Sequence, residues 1–312
     1  MKILVTGGTG FAGSHLIEGL LAKGYSDVYS TCFSQPDGGM LDHERYLKVD
    51  LTDATATKQI LRDLQPDWIF HLASFAYVGK SFEHANELFA NNIGLQLSIL
   101  EAVRTEVPHA RVLTIGSAEE YGIVDPTLER IDERCELKPV NPYAITKVTQ
   151  DLLAGSYFLS YGLDIVRARP FNHIGIRQTG DFAIPSFAQQ IVAIERGEQE
   201  TLHVGNLEGI RDFSDVKDMV AAYILLMERG VKGEIYNIGS GVGRKMSDVV
   251  SSLCSFSTAK IQLEQDSKRL RPLDVPRLVA DNGKIVALGW QPTQSIDAAL
   301  KAIVEEWRAR SS

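Results

Sequence analysis

The stretch MKILVTGGTGFAG, residues 1–13, decides the fold, because a short apolar run leads into a glycine-rich turn and then into a helical pattern. Glycines recur at a spacing of three, as Gly7, Gly10 and Gly13. Glycine lacks a Cβ, and a helix N-terminus offers free N–H groups and the positive end of its dipole to an anion. The stretch therefore predicts a strand, a turn and a helix that hold the pyrophosphate of a dinucleotide. A corner that only lets strand and helix pack closely is the alternative.

The composition is that of a globular protein, with 44% apolar and 23% charged residues among 312. A net charge of −8 and the lack of a Lys/Arg cluster argue against a nucleic-acid partner. The cysteines, Cys32, Cys135 and Cys254, are odd in number and are not spaced like metal ligands, so we expect reduced thiols and no metal. The sequence has neither a charged-then-apolar leader nor an apolar run of about 18 residues. We therefore expect a cytoplasmic protein with no membrane partner.

Short apolar runs alternate with helical patterns in the first half of the chain, which predicts an α/β fold with a Rossmann-like, doubly wound parallel sheet. After the opening strand, we expect strands at 28–33, 46–51, 68–73, 111–115 and 164–168. Helices are expected near 12–23, 55–64, 85–105 and 142–161.

The alternation loosens after residue 170. We expect helices at 183–196, 216–228 and 295–308, and strands at 201–204 and 234–238. The predicted organisation is an NAD(P)-binding domain at 1–169, with returning segments near 211–238. A smaller, discontinuous α/β domain at 170–312 is expected to bind the substrate.

The end of the second predicted strand bears on the choice of cofactor. It reads TCFS at 31–34, without the carboxylate that NAD-specific sites place there for the adenosine ribose, and the next carboxylate is Asp37. We therefore expect NADP(H) to be preferred and NAD(H) to be possible, although no arginine stands there for a 2′-phosphate. Asp50, at the tip of the third strand, can meet the adenine amino group. A helix N-cap is its alternative role, which Thr52 or Asp53 can equally fill.

A second motif, NPYAITK at 141–147, places Asn and then Pro at a helix start, so that Tyr143 and Lys147 lie one turn apart on the same face. A nearby ammonium stabilises a phenolate and makes tyrosine a proton donor or acceptor. Ser117, at the end of the strand 111–115, can hydrogen-bond the same substrate oxygen. A Tyr four residues before a Lys is common by chance. The alternative to a catalytic pair is that both residues merely lie on a partly exposed helix face.

These motifs together resemble the extended short-chain dehydrogenase/reductase family over essentially the full chain. The resemblance is carried by TGGTGFAG at 6–13, VDLTD at 49–53, HLAS at 71–74, Asn91 with Gly94, GSAEEYG at 116–122, YAITK at 143–147 and RPFN at 169–172. It implies that Ser117, Tyr143 and Lys147 form the catalytic triad. It also implies a cofactor site made of Gly7, Gly10, Phe11, Ala12, Gly13, Asp50, Leu51, Leu72, Ala73, Ser74, Asn91, Tyr143, Lys147 and Pro170.

Within the family, four segments resemble enzymes that act on GDP-linked sugars. They are RPFNHIG at 169–175, VGNLEGIRDFSDVKD at 204–218, YNIGSG at 236–241 and RLRPLDVPRLVADNGKI at 269–285. By this analogy Asn172, Arg211 and Arg271 contact the nucleotide diphosphate and ribose, and Ser117 contacts the sugar. Guanidinium groups suit a diphosphate because they offer paired donors. A surface ion pair of Arg211 with Asp212 is the alternative.

Two activities of this branch differ in the loop Ser117-Ala118-Glu119. A 4,6-dehydratase carries a second polar residue where this chain has Ala118, while Glu119 stays as a possible acid or base. We therefore expect NAD(P)H-dependent reduction of the 4-keto group of a GDP-4-keto-6-deoxy-hexose, from GDP-4-keto-6-deoxy-D-mannose to GDP-D-rhamnose or its C4 epimer. GDP-mannose 4,6-dehydration is the alternative, since an arginine at position 177, shortly after RPFNHIG, is a feature in which the chain resembles the dehydratases. A protein that binds NADP and a nucleotide sugar without reacting is a third.

The helices near 85–105 and 142–161 resemble those that form a four-helix bundle between subunits in this family. The resemblance implies a homodimer. Packing of their apolar residues against the sheet is the alternative.

Overall fold

The structure is a computed structural model that describes residues 1–34, 40–76, 78–270 and 273–310. Its strands are β1 (Ile3–Thr6), β2 (Val28–Cys32), β3 (Tyr46–Lys48), β4 (Trp68–His71), β5 (Arg111–Ile115), β6 (Ile165–Pro170), β7 (Asn172–Ile174), β8 (Thr201–Val204), β9 (Ile210–Asp215), β10 (Ile235–Ile238), β11 (Gly243–Lys245), β12 (Gln262–Gln265) and β13 (Arg277–Leu278). Its α-helices are α1 (Phe11–Ala22), α2 (Ala54–Leu64), α3 (Ala85–Glu106), α4 (Pro142–Tyr161), α5 (Ala183–Glu195), α6 (Val216–Arg229), α7 (Met246–Ser255), α8 (Gly283–Val286) and α9 (Ile296–Arg310).

Seven strands form one parallel sheet in the order β10-β6-β5-β4-β1-β2-β3. Its strands are apolar on both faces because helices cover both: Ile3 and Val5 join one buried cluster, and Leu4 joins the other. The predicted doubly wound parallel sheet is therefore confirmed. The strand order changes direction between β1 and β4, and ligands of such sheets bind outside the carboxyl ends of the strands at this point.

Capping residues explain where two of the helices begin. Asn141 accepts a hydrogen bond from the backbone N–H of Ala144 at 2.8 Å and precedes Pro142 at the start of α4. Asp53 caps α2, and its carboxylate accepts from two backbone N–H groups of the first turn. Asp50 is therefore not the cap of α2.

The later part of the chain completes the large sheet and also forms a separate set of small sheets and helices. β10 pairs with β6, and α6 packs against α1, so both belong to the large sheet and its cover. β9 pairs with β7, β11 and β13 in a second sheet, and β8 pairs with β12. Helices α5, α7 and α9 share a separate apolar cluster that includes Phe187, Leu253 and Leu300.

The sequence patterns predicted the α-helices and strands up to β6 and missed several elements of the later part of the chain. The helix expected at 183–196 is α5, and the strand expected at 201–204 is β8. The pattern analysis did not predict α7, α8, β7, β9, β11, β12 or β13. Strands of two to four residues, such as β11 and β13, are too short to display an alternation of their own, and they form through pairing with distant segments.

Three findings concern the described residues alone. None of their helices has the length and apolar character needed to cross a membrane. They contain no group of three or more His, Cys, Asp or Glu side chains that could hold a metal ion. All three cysteines are free thiols.

Candidate active site

The glycine-rich turn connects β1 to α1. Gly7 has a left-handed backbone, with a φ of 69°, and its carbonyl accepts the N–H of Gly10 at 3.0 Å. A Cβ on Gly13 would lie 2.2 Å from the oxygen of Gly7, and a Cβ on Gly7 would lie 3.0 Å from the Cα of Ala73. Close packing of the backbone therefore accounts for the glycines at positions 7 and 13.

The helix start behind this turn fits an anion. Gly10 is the N-cap residue of α1 and has no side chain that could accept a hydrogen bond. The N–H groups of the first helical turn, at Phe11, Ala12 and Gly13, are therefore not capped by the side chain of the N-cap residue. Uncapped N–H groups and the positive dipole end suit the pyrophosphate of a dinucleotide. The turn thus combines tight backbone packing with a helix start that is suited to an anion.

The segment after β4 lies beside the glycine turn. The hydroxyl of Thr6 accepts the N–H of Ala73 at 3.1 Å, and it also lies 2.9 Å from Nδ1 of the buried His71. Leu72, Ala73 and Ser74 are partly buried there. The predicted cofactor residues 72–74 and the turn at 7–13 therefore share the carboxyl ends of β1 and β4.

The predicted adenosine contacts lie farther out on the same edge. Asp50 is exposed, and its carboxylate accepts the N–H and the hydroxyl of Thr52 at 2.9 and 2.7 Å, while Leu51 is buried. After β2, the ring of Phe33 is 78% exposed. Asp37 lies outside the described residues.

Ser117 and Tyr143 meet at the carboxyl end of β5. Ser117 caps a 3₁₀ turn, Ala118–Tyr121, and its Oγ accepts the N–H of Glu119 at 3.2 Å. Tyr143 lies in the first turn of α4 and is 7% exposed. Burial raises the pKa of the Tyr143 phenol, and a hydrogen bond with the Ser117 side chain opposes that rise. The phenol is therefore neutral at neutral pH and able to donate a proton.

Lys147 lies one helical turn after Tyr143 and is also buried. Its Nζ donates to the carbonyl of Ile115 at 2.9 Å and lies 5.9 Å from the centre of the Tyr143 ring. Burial lowers the pKa of Lys147 to about 8. The structure thus brings Ser117, Tyr143 and Lys147 together, and the end of β5 orients the ammonium.

Two further residues that the sequence analysis assigned to the cofactor site are Pro170 and Asn91. Pro170 is buried and ends β6, beside Ile238 of β10. Asn91 is partly buried on α3, and its amide donates to Asn92 at 3.0 Å. The buried Asn92 donates in turn to Phe75 at 3.1 Å and to Thr146 at 3.1 Å. Asn92 therefore ties α3 to the loop after β4 and to α4, a role that the sequence analysis did not foresee.

Glu120 is the second residue that the sequence analysis missed. Its side chain is fully buried, whereas that of Glu119, the residue named as a possible acid or base, accepts from the Asn141 amide at 3.2 Å. Glu120 accepts the backbone N–H of Ser117 at 2.7 Å in a capping box. The spacing Ser-x-x-Glu in GSAEEYG is the sequence signal for such a box.

The predicted substrate residues lie beyond the triad. Asn172 is exposed at the start of β7. Arg211 is 7% exposed and pairs with Asp274 at 2.9 Å. The alternative of a surface pair with Asp212 is wrong, because the Asp212 carboxylate is buried and accepts the backbone N–H groups of residues 240, 241 and 280. Arg271 lies outside the described residues.

Arg177, the position at which the chain resembles the dehydratases, contacts two side chains of α1. It has a left-handed backbone with a φ of 71°, and its side chain lies 2.6 Å from Glu18. It also contacts the ring of His15 at 2.6 Å. These contacts attach the segment after β7 to the first helix.

Comparisons with known proteins agree with this architecture. The family model described as GDP-mannose 4,6 dehydratase matches residues 4–303. The GDP-6-deoxy-D-mannose reductase of Pseudomonas aeruginosa is 30% identical over 311 residues, which cover 99% of this chain and 98% of that protein.

Two solved structures are similar over nearly their full length. RMD from Pseudomonas aeruginosa, complexed with NADPH, has a TM-score of 0.84 and 30% identity, and the match covers 99% of this chain and 100% of that one. The UDP-glucose 4-epimerase of Thermus thermophilus, in complex with NAD, has a TM-score of 0.85 and 28% identity, with 99% of each chain covered. The prediction of a nicotinamide dinucleotide cofactor, with NADP(H) preferred and NAD(H) possible, is in accord with these two complexes. The chain belongs to the extended short-chain dehydrogenase/reductase family, in its nucleotide-sugar branch, and is an NAD(P)-dependent oxidoreductase.

Proposed function

We propose that the protein reduces the 4-keto group of a GDP-4-keto-6-deoxy-hexose with NADPH, and that GDP-4-keto-6-deoxy-D-mannose is its substrate. The observation that carries the proposal is a buried, neutral Tyr143 in hydrogen-bond contact with Ser117, one turn from the ammonium of Lys147. A ketone reduction needs one proton donor beside the carbonyl, and this arrangement supplies one. The similarity to a GDP-6-deoxy-D-mannose reductase supports the choice of sugar.

Each member of the triad has a separate task in this mechanism. The Ser117 hydroxyl donates to the C4 oxygen and orients it, and Tyr143 gives that oxygen its phenolic proton, so that the carbonyl becomes a secondary alcohol. Lys147, held by the carbonyl of Ile115 at 2.9 Å, stabilises the phenolate that remains. When bound, the reduced nicotinamide supplies the hydride that the C4 carbon takes up.

The cofactor would be held along the carboxyl ends of the first strands. The N–H groups at the start of α1 would hold its pyrophosphate, and Asp50 and Leu51 would meet its adenine. Residues 72–74, Asn91 and Pro170 would line the rest of the site, and Lys147 would also hold the nicotinamide ribose. The exposed Phe33 after β2 presents no carboxylate to repel a 2′-phosphate, which favours NADP(H).

The nucleotide-sugar side is assigned to the region 170–312. Asn172, Arg211 and Arg271 would contact the nucleotide diphosphate and ribose, since guanidinium groups offer paired donors to phosphate oxygens. Asp274 would keep the Arg211 guanidinium in place until the substrate arrives, through their 2.9 Å contact.

GDP-mannose 4,6-dehydration is the second candidate, favoured by the family model that matches the chain. It requires an acid and a base besides tyrosine. Ala118 argues against it, because this side chain is 3% exposed and packs in an apolar cluster with Tyr121 and Phe171. Glu119 is also engaged by Asn141 at 3.2 Å.

A panel assay tests the substrate. We expect NADPH absorbance to fall with GDP-4-keto-6-deoxy-D-mannose and to fall far more slowly with dTDP- and UDP-linked 4-keto-6-deoxy sugars. Equal rates with all three nucleotides would overturn the GDP assignment. Tight NADPH binding without turnover of any sugar would identify a binding protein.

We also propose that the protein is a homodimer through the outer faces of α3 and α4. These helices pack on each other and leave large apolar side chains exposed, with Leu97 at 42%, Leu152 at 61% and Leu159 at 80%. Large exposed apolar side chains on two neighbouring helices are typical of a surface that another protein chain covers.

A further inference from the structure

The 3₁₀ turn Ala118–Tyr121, which Ser117 caps, ends in a fully buried tyrosine. The hydroxyl of Tyr121 lies between two side chains of the large sheet, 2.7 Å from Oδ1 of Asn237 on β10 and 3.1 Å from the Arg169 guanidinium on β6. Arg169 and Asn237 are partners in the register of these two parallel strands. Side chains of register partners lie side by side on one face of a sheet. The hydroxyl therefore ties the end of the turn to two neighbouring strands.

The chemistry of these groups allows one arrangement of the hydrogen bonds. A guanidinium can only donate, so the Tyr121 hydroxyl accepts from Arg169 and gives its own proton to Asn237. The amide nitrogen of Asn237 donates to the carbonyl of Ile131 at 2.8 Å, which places the amide oxygen toward Tyr121. Burial raises the pKa of Tyr121 to about 12, so the hydroxyl keeps its proton at neutral pH. Tyr121 thus makes a directed link, with a donor on one side and an acceptor on the other.

The turn that Tyr121 anchors also contacts the start of α4. The side chain of Glu119 accepts the amide of Asn141, the N-cap residue of α4, at 3.2 Å. Ser117, at the beginning of the turn, and Tyr143, in the first turn of α4, therefore lie on two segments that are bonded to each other. A displacement of the turn would change the place of the Ser117 hydroxyl relative to the Tyr143 phenol.

Asn237 continues the link toward the sugar end. The carbonyl of Ile131, which accepts the Asn237 amide, also accepts the N–H of Asp281 at 2.8 Å. The N–H of Ile131 donates to the carbonyl of Val279 at 2.8 Å. These residues follow β13, which pairs with β9 next to Arg211. Hydrogen bonds thus connect the turn of the triad with the strand pair that carries the predicted substrate arginine.

We propose that Tyr121 is a positioning residue of the triad, whose hydroxyl, bonded to Arg169 and Asn237, fixes the turn that places the Ser117 hydroxyl at the reacting oxygen of the sugar. Through Asn237, the same link sets this turn against the sugar-side segment 279–281. The proposal rests on the function proposed above, because Ser117 acts on the sugar only there.

The kinetics of Tyr121→Phe test the proposal. The variant keeps the ring but leaves Arg169 and Asn237 without the hydroxyl that joins them. We expect kcat for keto reduction to fall by about tenfold or more, since a displacement of about 1 Å can slow a reaction by up to about 10²-fold. The KM values for NADPH and for the GDP-sugar should stay close to those of the unmodified protein. An unchanged kcat overturns the proposal.

A double variant tests whether the effect acts through Ser117. In a Ser117→Ala background the hydroxyl that Tyr121 positions is absent, so the addition of Tyr121→Phe should lower kcat little further. If the two losses multiply, Tyr121 does not act through the serine and the proposal fails.

The matched control is Tyr236→Phe, next to Asn237 on β10. Tyr236 is also buried, and its hydroxyl accepts the N–H of Val231 at 3.0 Å in the loop before the strand. Both variants lose a hydrogen-bonded hydroxyl, but kcat should stay unchanged in Tyr236→Phe. Equal falls of kcat in the two variants would reduce the role of Tyr121 to general stability. If Tyr121→Phe is insoluble, Asn237→Ser, with its shorter side chain, replaces it, and an unchanged kcat in that variant overturns the proposal.

Hydrogen exchange, followed by mass spectrometry on the protein without cofactor or sugar, gives a readout that does not require activity. In Tyr121→Phe we expect faster exchange in peptides that cover 117–122 and 279–281, whereas in Tyr236→Phe faster exchange should stay near 231–236. Unchanged exchange of 117–122 in Tyr121→Phe overturns the proposal. If the unmodified protein reduces no sugar, the proposed function fails, while the exchange still decides whether Tyr121 fixes the turn.

Discussion

Two regions of the molecule are proposed to bind phosphate groups, the cofactor end at residues 7–13 and the sugar end at Arg211, and they are built by different means. At the cofactor end, the polar groups near Gly7 to Gly13 are backbone N–H groups and the hydroxyl of Thr6. At the sugar end, Arg211 is a buried charge paired with Asp274, which is 63 residues away in sequence. An anion site made of backbone N–H groups depends on local turn geometry. An anion site made of a buried arginine depends on an ion pair with a residue that is distant in sequence. The comparison explains why the first end is so much easier to predict from sequence than the second.

The largest expected effect is at Tyr143, which we propose as the proton donor. Tyr143→Phe removes one hydroxyl and keeps the ring, so we expect kcat for keto reduction to fall by about 10²–10⁴-fold. Cofactor affinity, measured by NADPH fluorescence, stays close to that of the unmodified protein. Near-normal turnover by this variant would show that another group donates the proton.

The cofactor end is tested next by Gly13→Ala. The new Cβ would lie 2.2 Å from the Gly7 oxygen and 2.7 Å from the Cα of Gly8, both backbone atoms that cannot move aside easily. We expect a loss of about 1–3 kcal/mol in the free energy of unfolding and a weaker affinity for NADPH.

The matched control is Gly94→Ala in α3. Its Cβ would meet nothing closer than 3.8 Å, so this variant should be neutral or slightly more stable, as expected for alanine in a helix. Urea unfolding and NADPH titration of both variants provide the measurement. Equal behaviour of the two alanines would contradict the tight turn.

The sugar end is tested by Arg211→Gln, with Arg211→Lys as its partner. The glutamine removes the charge, and the lysine keeps the charge but loses the two-donor fork. We expect KM for the GDP-sugar to rise by about tenfold or more in the glutamine variant, in line with the loss of a charged hydrogen bond, and by less in the lysine variant. NADPH affinity should not change, and a parallel loss of it would mean that Arg211 supports the whole fold.

The smallest effect on catalysis is expected from Leu152→Glu on α4. This side chain is 61% exposed in the single chain, so a charge there does not disturb the core. We expect the variant to elute as a monomer in gel filtration where the unmodified protein elutes as a dimer, with similar turnover per chain. A monomeric unmodified protein would disprove the proposed dimer.

Local signals carried most of what was predictable. The strand, turn and helix at 1–22 and the Asn-Pro start of α4 each depend on residues close together, and each lies where the sequence analysis expected it. Glu120 was overlooked in favour of Glu119, although the capping-box spacing from Ser117 was present in the sequence. The partner of Arg211 was not predictable, because no local pattern connects β9 with Asp274 across their separation.

The most direct test of keto reduction follows the hydride itself. The protein is given GDP-4-keto-6-deoxy-D-mannose and NADPH that carries deuterium at the transferable position, and the sugar product is examined by mass spectrometry and NMR. We predict one deuterium at C4 of the product for each NADPH consumed. A sugar product formed without deuterium would contradict the account, and so would conversion of GDP-mannose, supplied in a parallel sample, to a 4-keto sugar with no net use of NADPH.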